Sequence, residues 1–277
     1  MITKKINGFK MFLDPTGAGI SRTLAKRGLR EPCFMWILQK EAWGGLGLDV
    51  GANIGYTTLY LCRAMDKVIA IEPDPRSRKI LIKNIEANGF KDSTEIYDFA
   101  VSDRNGKQTI CLADEPNLST LGDWAATTDQ KCEVSTRTID SLGVFPNFIK
   151  MDIEGYEVEA LRGAMRCLKQ TEHCKILVEV HPQFFIGDSF EVVLRSLIDI
   201  GFKFKYVVSA GMPRPDLFKK HGYEPVSGAP INRRAIYDCV SAEHAIKWSS
   251  HPIEQKCRKG KISPKIVRAI LLVKDER

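Results

Sequence analysis

No apolar run in this sequence approaches the roughly 18 residues that cross a bilayer, so no membrane span is expected. Its eight cysteines, at 33, 62, 111, 132, 167, 174, 239 and 257, form no Cys-x-x-Cys pair and have no His spacing suited to zinc. The first residues, Met1-Ile2-Thr3-Lys4-Lys5-Ile6-Asn7-Gly8, lack the apolar core of a signal peptide. Reduced thiols in a cytoplasmic protein are the expectation that follows. Internal repeats and low-complexity tracts are also missing, which leaves an ordinary globular chain of 277 residues, 44% hydrophobic and 27% charged.

What is present is unevenly charged. Residues 1–40 carry eight Lys/Arg against two acidic residues, and residues 241–277 carry nine against four. The termini thus hold +11, and the net charge of +7 leaves −4 for the middle of the chain. Basic ends suit an anionic partner or simply solvate a tail. The dense cluster Lys256-Cys257-Arg258-Lys259-Gly260-Lys261 has no interleaved aromatic residue. The domain reading is a basic N-terminal extension over 1–40 placed to cap the next domain, a main domain over 41–242 with an insertion at about 211–232, and a basic tail over 243–277.

Between residues 46 and 240, apolar runs alternate with helical patterns. Strands are predicted over Leu46–Val50, Lys67–Ile71, Glu95–Val101, Phe148–Ile153, Lys175–Val180, Phe204–Val208 and Ala235–Val240. Helices are predicted over Tyr56–Met65, Ser77–Asn88, Glu157–Lys169 and Phe190–Ile200, and Asn105-Gly106 turns the chain into a hairpin excursion at Thr109–Leu112. Such alternation means an α/β domain whose parallel sheet is covered on both faces. Ligands bind such sheets at the carboxyl ends of the strands. There stand Asp49–Gly55, Glu72, Asp98–Ala100, Asp152–Glu154 and Glu179–His181.

The first of these ends has clear physics. Gly51 and Gly55 let backbone approach a ligand and enter a helix sharply, and the free N–H groups of that helix favour a carboxylate or phosphate. Glu72 follows Gly51 by 21 residues, where a carboxylate accepts both hydroxyls of a ribose. A nucleoside-containing cofactor follows. A dinucleotide loop wants Gly-x-Gly-x-x-Gly, and Asn53 and Tyr56 stand where its second and third glycines belong. A purely structural glycine turn beside a solvated Glu72 is the other alternative.

Together these segments resemble a family. Asp49-x-Gly51-Ala52-Asn53-x-Gly55, Glu72-Pro73, Ala100-Val101-Ser102-Asp103 with Gly106, and Ile149-Lys150-Met151-Asp152-Ile153-Glu154-Gly155-Tyr156-Glu157 followed by Leu161-Arg162-Gly163-Ala164 are similar to the FkbM family. The resemblance covers about residues 46–182. Members are class I S-adenosylmethionine-dependent methyltransferases, typically O-methyltransferases acting on sugars or natural products. The resemblance implies a Rossmann-like seven-stranded fold, mostly parallel, with an antiparallel final hairpin and helices on both faces. Phe204–Val208 and Ala235–Val240 would form that hairpin, joined by the insertion. It also implies S-adenosylmethionine wrapped by Asp49, Gly51, Ala52, Asn53, Gly55 and Tyr56, with its ribose on Glu72. Asp98, Phe99 and Ala100 would lie beside the adenine, and Asp152 would border the cofactor from the acceptor side.

Methyl transfer to an alcohol needs in-line alignment and removal of the hydroxyl proton. Asp152, Glu154, Glu179 and His181 are the candidate catalytic residues, with His181 the natural base because its ordinary pKa is near neutrality. Glu157 and Glu159 begin a helix. No metal is assigned; a magnesium or calcium ion, were one used, would take oxygen from Asp152, Glu154 and Glu179. The expected partner is a small-molecule or glycan acceptor. The alternative is a nucleic acid, with RNA ribose 2′-O-methylation its best form and phosphates held by the basic termini. Amino-group methyltransferases place an Asp/Asn-Pro-Pro-Tyr/Phe segment where Asp152-Ile153-Glu154-Gly155 stands, and ribose methyltransferases need lysines where Glu179-Val180-His181 stands. Acceptor choice would lie with Phe9–Arg30, Glu115–Asp129 and Gly211–Asn232. Trp124, Phe184, Phe185 and Tyr223 could stack on a sugar, and Arg22, Arg30, Arg233 or Arg234 would favour a phosphorylated acceptor.

Overall fold

Asn7 and Gly8, with φ of 50° and 90°, adopt the left-handed conformations that Asn-Gly allows in two-residue hairpin loops. They join β1 (Ile2–Ile6) to β2 (Phe9–Leu13), a hairpin that the Asn-Gly signal could have disclosed. The computed structural model describes residues 1–14, 19–111, 131–185, 189–229, 233–251 and 265–275. Helices α1 (Gly19–Arg27) and α2 (Pro32–Glu41) complete the N-terminal segment. Pro32 opens α2 where its missing N–H has no helical partner to lose.

The alternating core then runs through β3 (Leu46–Val50), α3 (Tyr56–Ala64), β4 (Lys67–Ile71), α4 (Pro75–Ala87) and β5 (Thr94–Tyr97). The Asp74 carboxylate caps α4 by accepting the Arg76 N–H. An excursion follows: β6 (Ala100–Val101), β7 (Gly106–Cys111) and β8 (Lys131–Arg137). The core resumes with β9 (Phe148–Met151), α5 (Glu157–Arg162), α6 (Met165–Gln170), β10 (Cys174–Glu179), α7 (Ser189–Asp199) and β11 (Lys203–Ser209). It closes with α8 (Arg214–Lys220), β12 (Ser227–Ala229), β13 (Arg234–Tyr237), α9 (Ala242–Ser250) and β14 (Val267–Lys274).

The main sheet has the order β12-β13-β11-β14-β10-β9-β3-β4-β5. Strands β5, β4, β3, β9 and β10 are parallel, while β14 lies antiparallel to both β10 and β11. Period-2 alternation splits the strands between two layers. Ile176, Val178, Ile270 and Leu272 pack with α5, α6, α7 and α9, and Leu177, Ala269 and Leu271 pack with α2, α3 and α4. Each fully buried aliphatic side chain of this kind contributes about 1.5–3 kcal/mol. The Rossmann-like arrangement expected from the sequence is therefore present, with two outer strands added.

The antiparallel end is assembled differently from the expectation. Phe204–Val208 and Ala235–Val240 do meet, with Val207 opposite Tyr237. The strand between β10 and β11, however, is β14, from the segment read as a basic tail. Its apolar run Val267–Val273 outweighs the charged residues around it. The third predicted strand breaks at Asp98–Phe99, and its second half, β6, pairs with β8 in a separate sheet of order β6-β8-β7. Among the described residues no helix is long and apolar enough to cross a membrane. The cluster 256–261 and the loop 115–129 with Trp124 lie outside the described residues.

Candidate active site

The β3–β9 register sets Asp49 beside Lys150, two residues a hundred positions apart. Asp49 is wholly buried, with Oδ1 2.9 Å from Lys150 Nζ. Its Oδ2 accepts the hydroxyls of Thr57 and Thr58 at 2.9 and 2.7 Å. Lys150 Nζ also donates to the carbonyls of Gly51 (2.7 Å) and Val50 (3.3 Å), so one ammonium holds the turn that follows β3. Burial disfavours that charge, but Asp49 and Asp152 outweigh it and the Lys150 pKa is raised. Gly51 takes φ of 77°, and a Cβ there would lie 2.1 Å from the Asp152 carbonyl oxygen. Only glycine lets the two loops approach this closely.

Asn53, at φ of 52°, turns its N–H onto Glu72 Oε2 at 2.7 Å, and the Asp74 N–H donates to Glu72 Oε1 at 2.8 Å. Burial pushes the Glu72 carboxyl up to about 7, against these two bonds. Gly55, at φ of 87°, caps α3, and a Cβ there would strike Leu81.

The other half of the site follows β9 and β10. Glu154 (φ 51°) and Gly155 (φ 104°) reverse the chain, with Phe184 packed where a Gly155 Cβ would go. Buried His181 sits among three carboxylates: Nδ1 is 2.8 Å from Glu157 Oε1, and Nε2 is 3.1 Å from Glu154 and 3.2 Å from Glu179. Burial opposes its charge, yet Glu157 and the hydrogen bonds its ring donates to all three carboxylates hold its pKa well above the ordinary value. Both ring nitrogens then donate. An imidazolium has no lone pair for a proton, which favours a neighbouring carboxylate over His181 as the base. Glu179 also meets Arg268 and lies 3.5 Å from Lys265, and these cations hold it well below the usual carboxylate range despite its burial.

Asp152 behaves in the opposite way. Burial first, and the Glu179 charge second, raise its carboxyl to about 7, with Lys150 opposing. Its Oδ1 is buried without a hydrogen-bond partner among the described residues. Ligand atoms of Asp152, Glu154 and His181 lie within 4.8 Å of one another. Any cation there would use His181 rather than Glu179 as third ligand, and would first displace the Nε2 proton.

Gly51, Ala52, Asn53, Tyr56, Glu72 and Ala100 line one cleft together with Asp152, Glu154 and Glu179. Asp49, Gly55 and His181 are not on its wall. Asp98 and Phe99 are not either: Asp98 is exposed, and the Phe99 ring lies 5.4 Å from Tyr97 with Arg137 above it. The cause is the break after β5, which carries the chain out of the main sheet. Phe185 stacks on Phe190 at 4.5 Å, and Tyr223 bonds His244 at 2.7 Å, so neither faces the cleft. Among the described residues, the aromatic residues on the wall are Phe34, Tyr56 and Tyr156. Of the four arginines expected there, Arg30 alone lines it; Arg234 pairs with Glu31.

Four residues went unassigned in the sequence. Lys150 was part of a motif without a role, and Glu157 was read as a helix opener yet is wholly buried against His181. Glu31 and Arg268 lay in the terminal segments; a lone arginine inside the run Val267–Val273 was the available signal.

The chain is 29% identical over 139 residues to the hexuronic acid methyltransferase AglP of Haloferax volcanii, a match covering 48% of this chain. It covers 54% of AglP, so the chain spans about half the length of the curated relative it matches. Among solved structures, it is similar to a methyltransferase FkbM of Methylobacillus flagellatus KT, at 20% identity and a TM-score of 0.41, over 57% of this chain and 39% of that one. It is also similar to an S-adenosylmethionine-dependent O-methyltransferase of Thermotoga maritima, at 13% identity and a TM-score of 0.42, over 92% and 71% of the two chains. A family model, the methyltransferase FkbM domain, matches residues 49–204, from the buried Asp49 through β10 to the start of β11, and the chain belongs to that family.

Proposed function

We propose that this protein moves a methyl group from S-adenosylmethionine to a hydroxyl oxygen of a sugar or glycan. One observation carries the reading: a single cleft joins Glu72 and the Gly51–Tyr56 turn to Asp152, whose Oδ1 is buried and unpartnered. The cleft suits that cofactor on two counts. A carboxylate for ribose hydroxyls stands at the end of β4, and the first turn of α3, with its free N–H groups, supplies Tyr56 and Thr57 to the same wall. Gly51, Ala52, Asn53 and Tyr56 would hold the methionine portion, with Asp49 and Gly55 shaping the turn from behind. Ala100 would border the adenine. Bound there, the cofactor supplies an electrophilic methyl group.

The chain's part is alignment and proton removal. Asp152, with its carboxyl near neutrality, takes the acceptor's hydroxyl proton as the oxygen attacks. Glu154 and Glu179 accept hydrogen bonds from neighbouring hydroxyls, and the charged His181 fixes both. A sugar acceptor agrees with the name of AglP, a hexuronic acid methyltransferase. The N-terminal segment, through Ile20, Arg30, Glu31, Phe34 and Met35, closes the acceptor side of the cleft.

The test is mass spectrometry of sugar, glycan and RNA pools after incubation with cofactor, with and without chelator. A gain of one CH₂ on a sugar or glycan supports the reading. Gain confined to RNA, or none on any pool, overturns it, and activity that vanishes with chelator and returns with magnesium moves proton removal from Asp152 to a bound cation. Thermal stabilisation by S-adenosylhomocysteine and not by NAD is the accompanying expectation.

A further inference from the structure

The charges around the acceptor side can be paired off one by one. Glu31 takes Arg234 and Arg268, Glu179 takes Arg268 and has Lys265 at 3.5 Å, and His181 is shared by Glu154, Glu157 and Glu179. Four cations thus face these four carboxylates, and a fifth, Asp152, has no ion pair among the described residues. Lys150, the other cation on the cleft wall beside this group, is committed to Asp49 and to two carbonyls.

Arg30 is left over. It is half-buried and lines the cleft, yet among the described residues no carboxylate forms an ion pair with its side chain. Withdrawing a guanidinium from water without a partner is costly, and a ligand bringing one negative charge would remove that cost. The planar fork of Arg suits a carboxylate or a phosphate in two-point contact. Carboxylates at Glu31, Asp152, Glu154 and Glu179 crowd the same wall, so a singly charged ligand is favoured over a doubly charged one.

We infer that Arg30 recognises a carboxylate on the acceptor, making the substrate an acidic sugar rather than a neutral or phosphorylated one. This rests on the sugar O-methylation reading. The anion belongs to the acceptor and not to the cofactor's own methionine carboxylate on grounds of place. Glu31, next in sequence to Arg30, is tied through Arg268 to Glu179, at the end of β10. The ribose-binding Glu72 lies beyond β9 and β3, at the end of β4. The Arg30 backbone also approaches the Tyr56 hydroxyl on the cofactor turn, so the link through Glu31 favours the acceptor and S-adenosylhomocysteine affinity is the measurement that tells the two anions apart.

The experiment compares wild type with Arg30→Met and Arg30→Lys. Methyl glucuronide, methyl glucoside and methyl glucoside 6-phosphate are the probes. Equilibrium binding to the S-adenosylhomocysteine complex is measured separately from turnover, and melting temperatures confirm folding. Wild type is expected to bind the glucuronide most tightly. Arg30→Met is expected to lower the glucuronide-to-glucoside affinity ratio about 10- to 100-fold, with Arg30→Lys between the two. Absence of glucuronide binding by wild type, an unchanged ratio, preference for the phosphate ester, or an equal loss of S-adenosylhomocysteine affinity each overturns the inference. Arg30-dependent glucuronide binding without methylation would instead sink the methylation reading and leave Arg30 as the carboxylate site.

Discussion

Replacing Lys150 by Met would leave the wholly buried Asp49 with two hydroxyl donors and no counter-charge. At 2.9 Å and an effective dielectric near 20, the lost attraction is about 6 kcal/mol before relaxation. Movement and partial protonation of Asp49 absorb some of this, and breaking a buried pair from one side costs about 3–5 kcal/mol net. Each kcal/mol displaces the melting midpoint of a domain of this size by about 2–4 °C, so Lys150→Met should melt about 6–20 °C lower. A second substitution, Asp49→Asn, removes the orphaned charge while Thr57 and Thr58 still donate to the amide oxygen. The double variant should recover about half or more of the loss, a coupling that only contacting residues show. Thermal and urea unfolding of the four proteins completes the cycle. A loss under about 1 kcal/mol for Lys150→Met, or a double variant no more stable than Lys150→Met, refutes the idea that this ion pair holds the turn.

Three further substitutions separate roles within the site. Asp152→Asn should slow turnover about 10²- to 10⁴-fold yet raise stability at alkaline pH. The folded carboxyl titrates near 7, above its ordinary value, so its contribution is full below about pH 4, declines as pH rises and is lost above 7. The variant's advantage in melting temperature should therefore grow from pH 4 to 7 and then level off; a constant difference contradicts this. In wild type, turnover should rise with pH through about 7 as Asp152 ionises. His181→Gln should keep that rise and move it to higher pH, because the imidazolium favours ionised Asp152; disappearance of the rise would restore His181 as the base. Glu72→Gln should weaken S-adenosylhomocysteine binding about 10- to 100-fold by calorimetry, and unchanged affinity would remove Glu72 from the cofactor site.

The parallel half of the sheet was readable because each of its strands except β5 pairs an apolar run with a glycine or acidic residue at its carboxyl end. The antiparallel half was not. Val267–Val273 is as apolar as any earlier strand, but it follows a dense basic stretch and lies far in sequence from β10 and β11, which it separates. Sequence pattern reports local periodicity; insertion of a last strand between two earlier ones is a matter of long-range pairing. The cofactor side was likewise more legible than the acceptor side. Gly51 and Asn53 are constrained by backbone conformation, and such constraints leave a mark on residue type. The surroundings of His181 were not legible, because its ordinary pKa says nothing of three carboxylates gathered from β10, α5 and the turn after β9.

The matched family region, 49–204, contains every carboxylate of the acceptor side except Glu31, and among cations it holds His181 but none of Arg234, Lys265 and Arg268. Glu179 would be a poor anion in so buried a place without Arg268 and Lys265. An ionised Glu179, in turn, is a large part of what raises Asp152 towards neutrality. Asp152, the base proposed here, would thus be tuned from outside the region that carries the motif. Glu31 extends the same dependence to the N-terminal segment: it stands at φ of 46° at the start of α2 without a side-chain capping bond, its carboxylate drawn instead to Arg234 and Arg268. A non-glycine residue in that conformation is held there by its surroundings, and here the surroundings are the two arginines. The segment that brings Arg30 to the cleft is therefore fastened to the same arginine that keeps Glu179 charged, and under the proposed roles acceptor recognition and proton removal would share one electrostatic support.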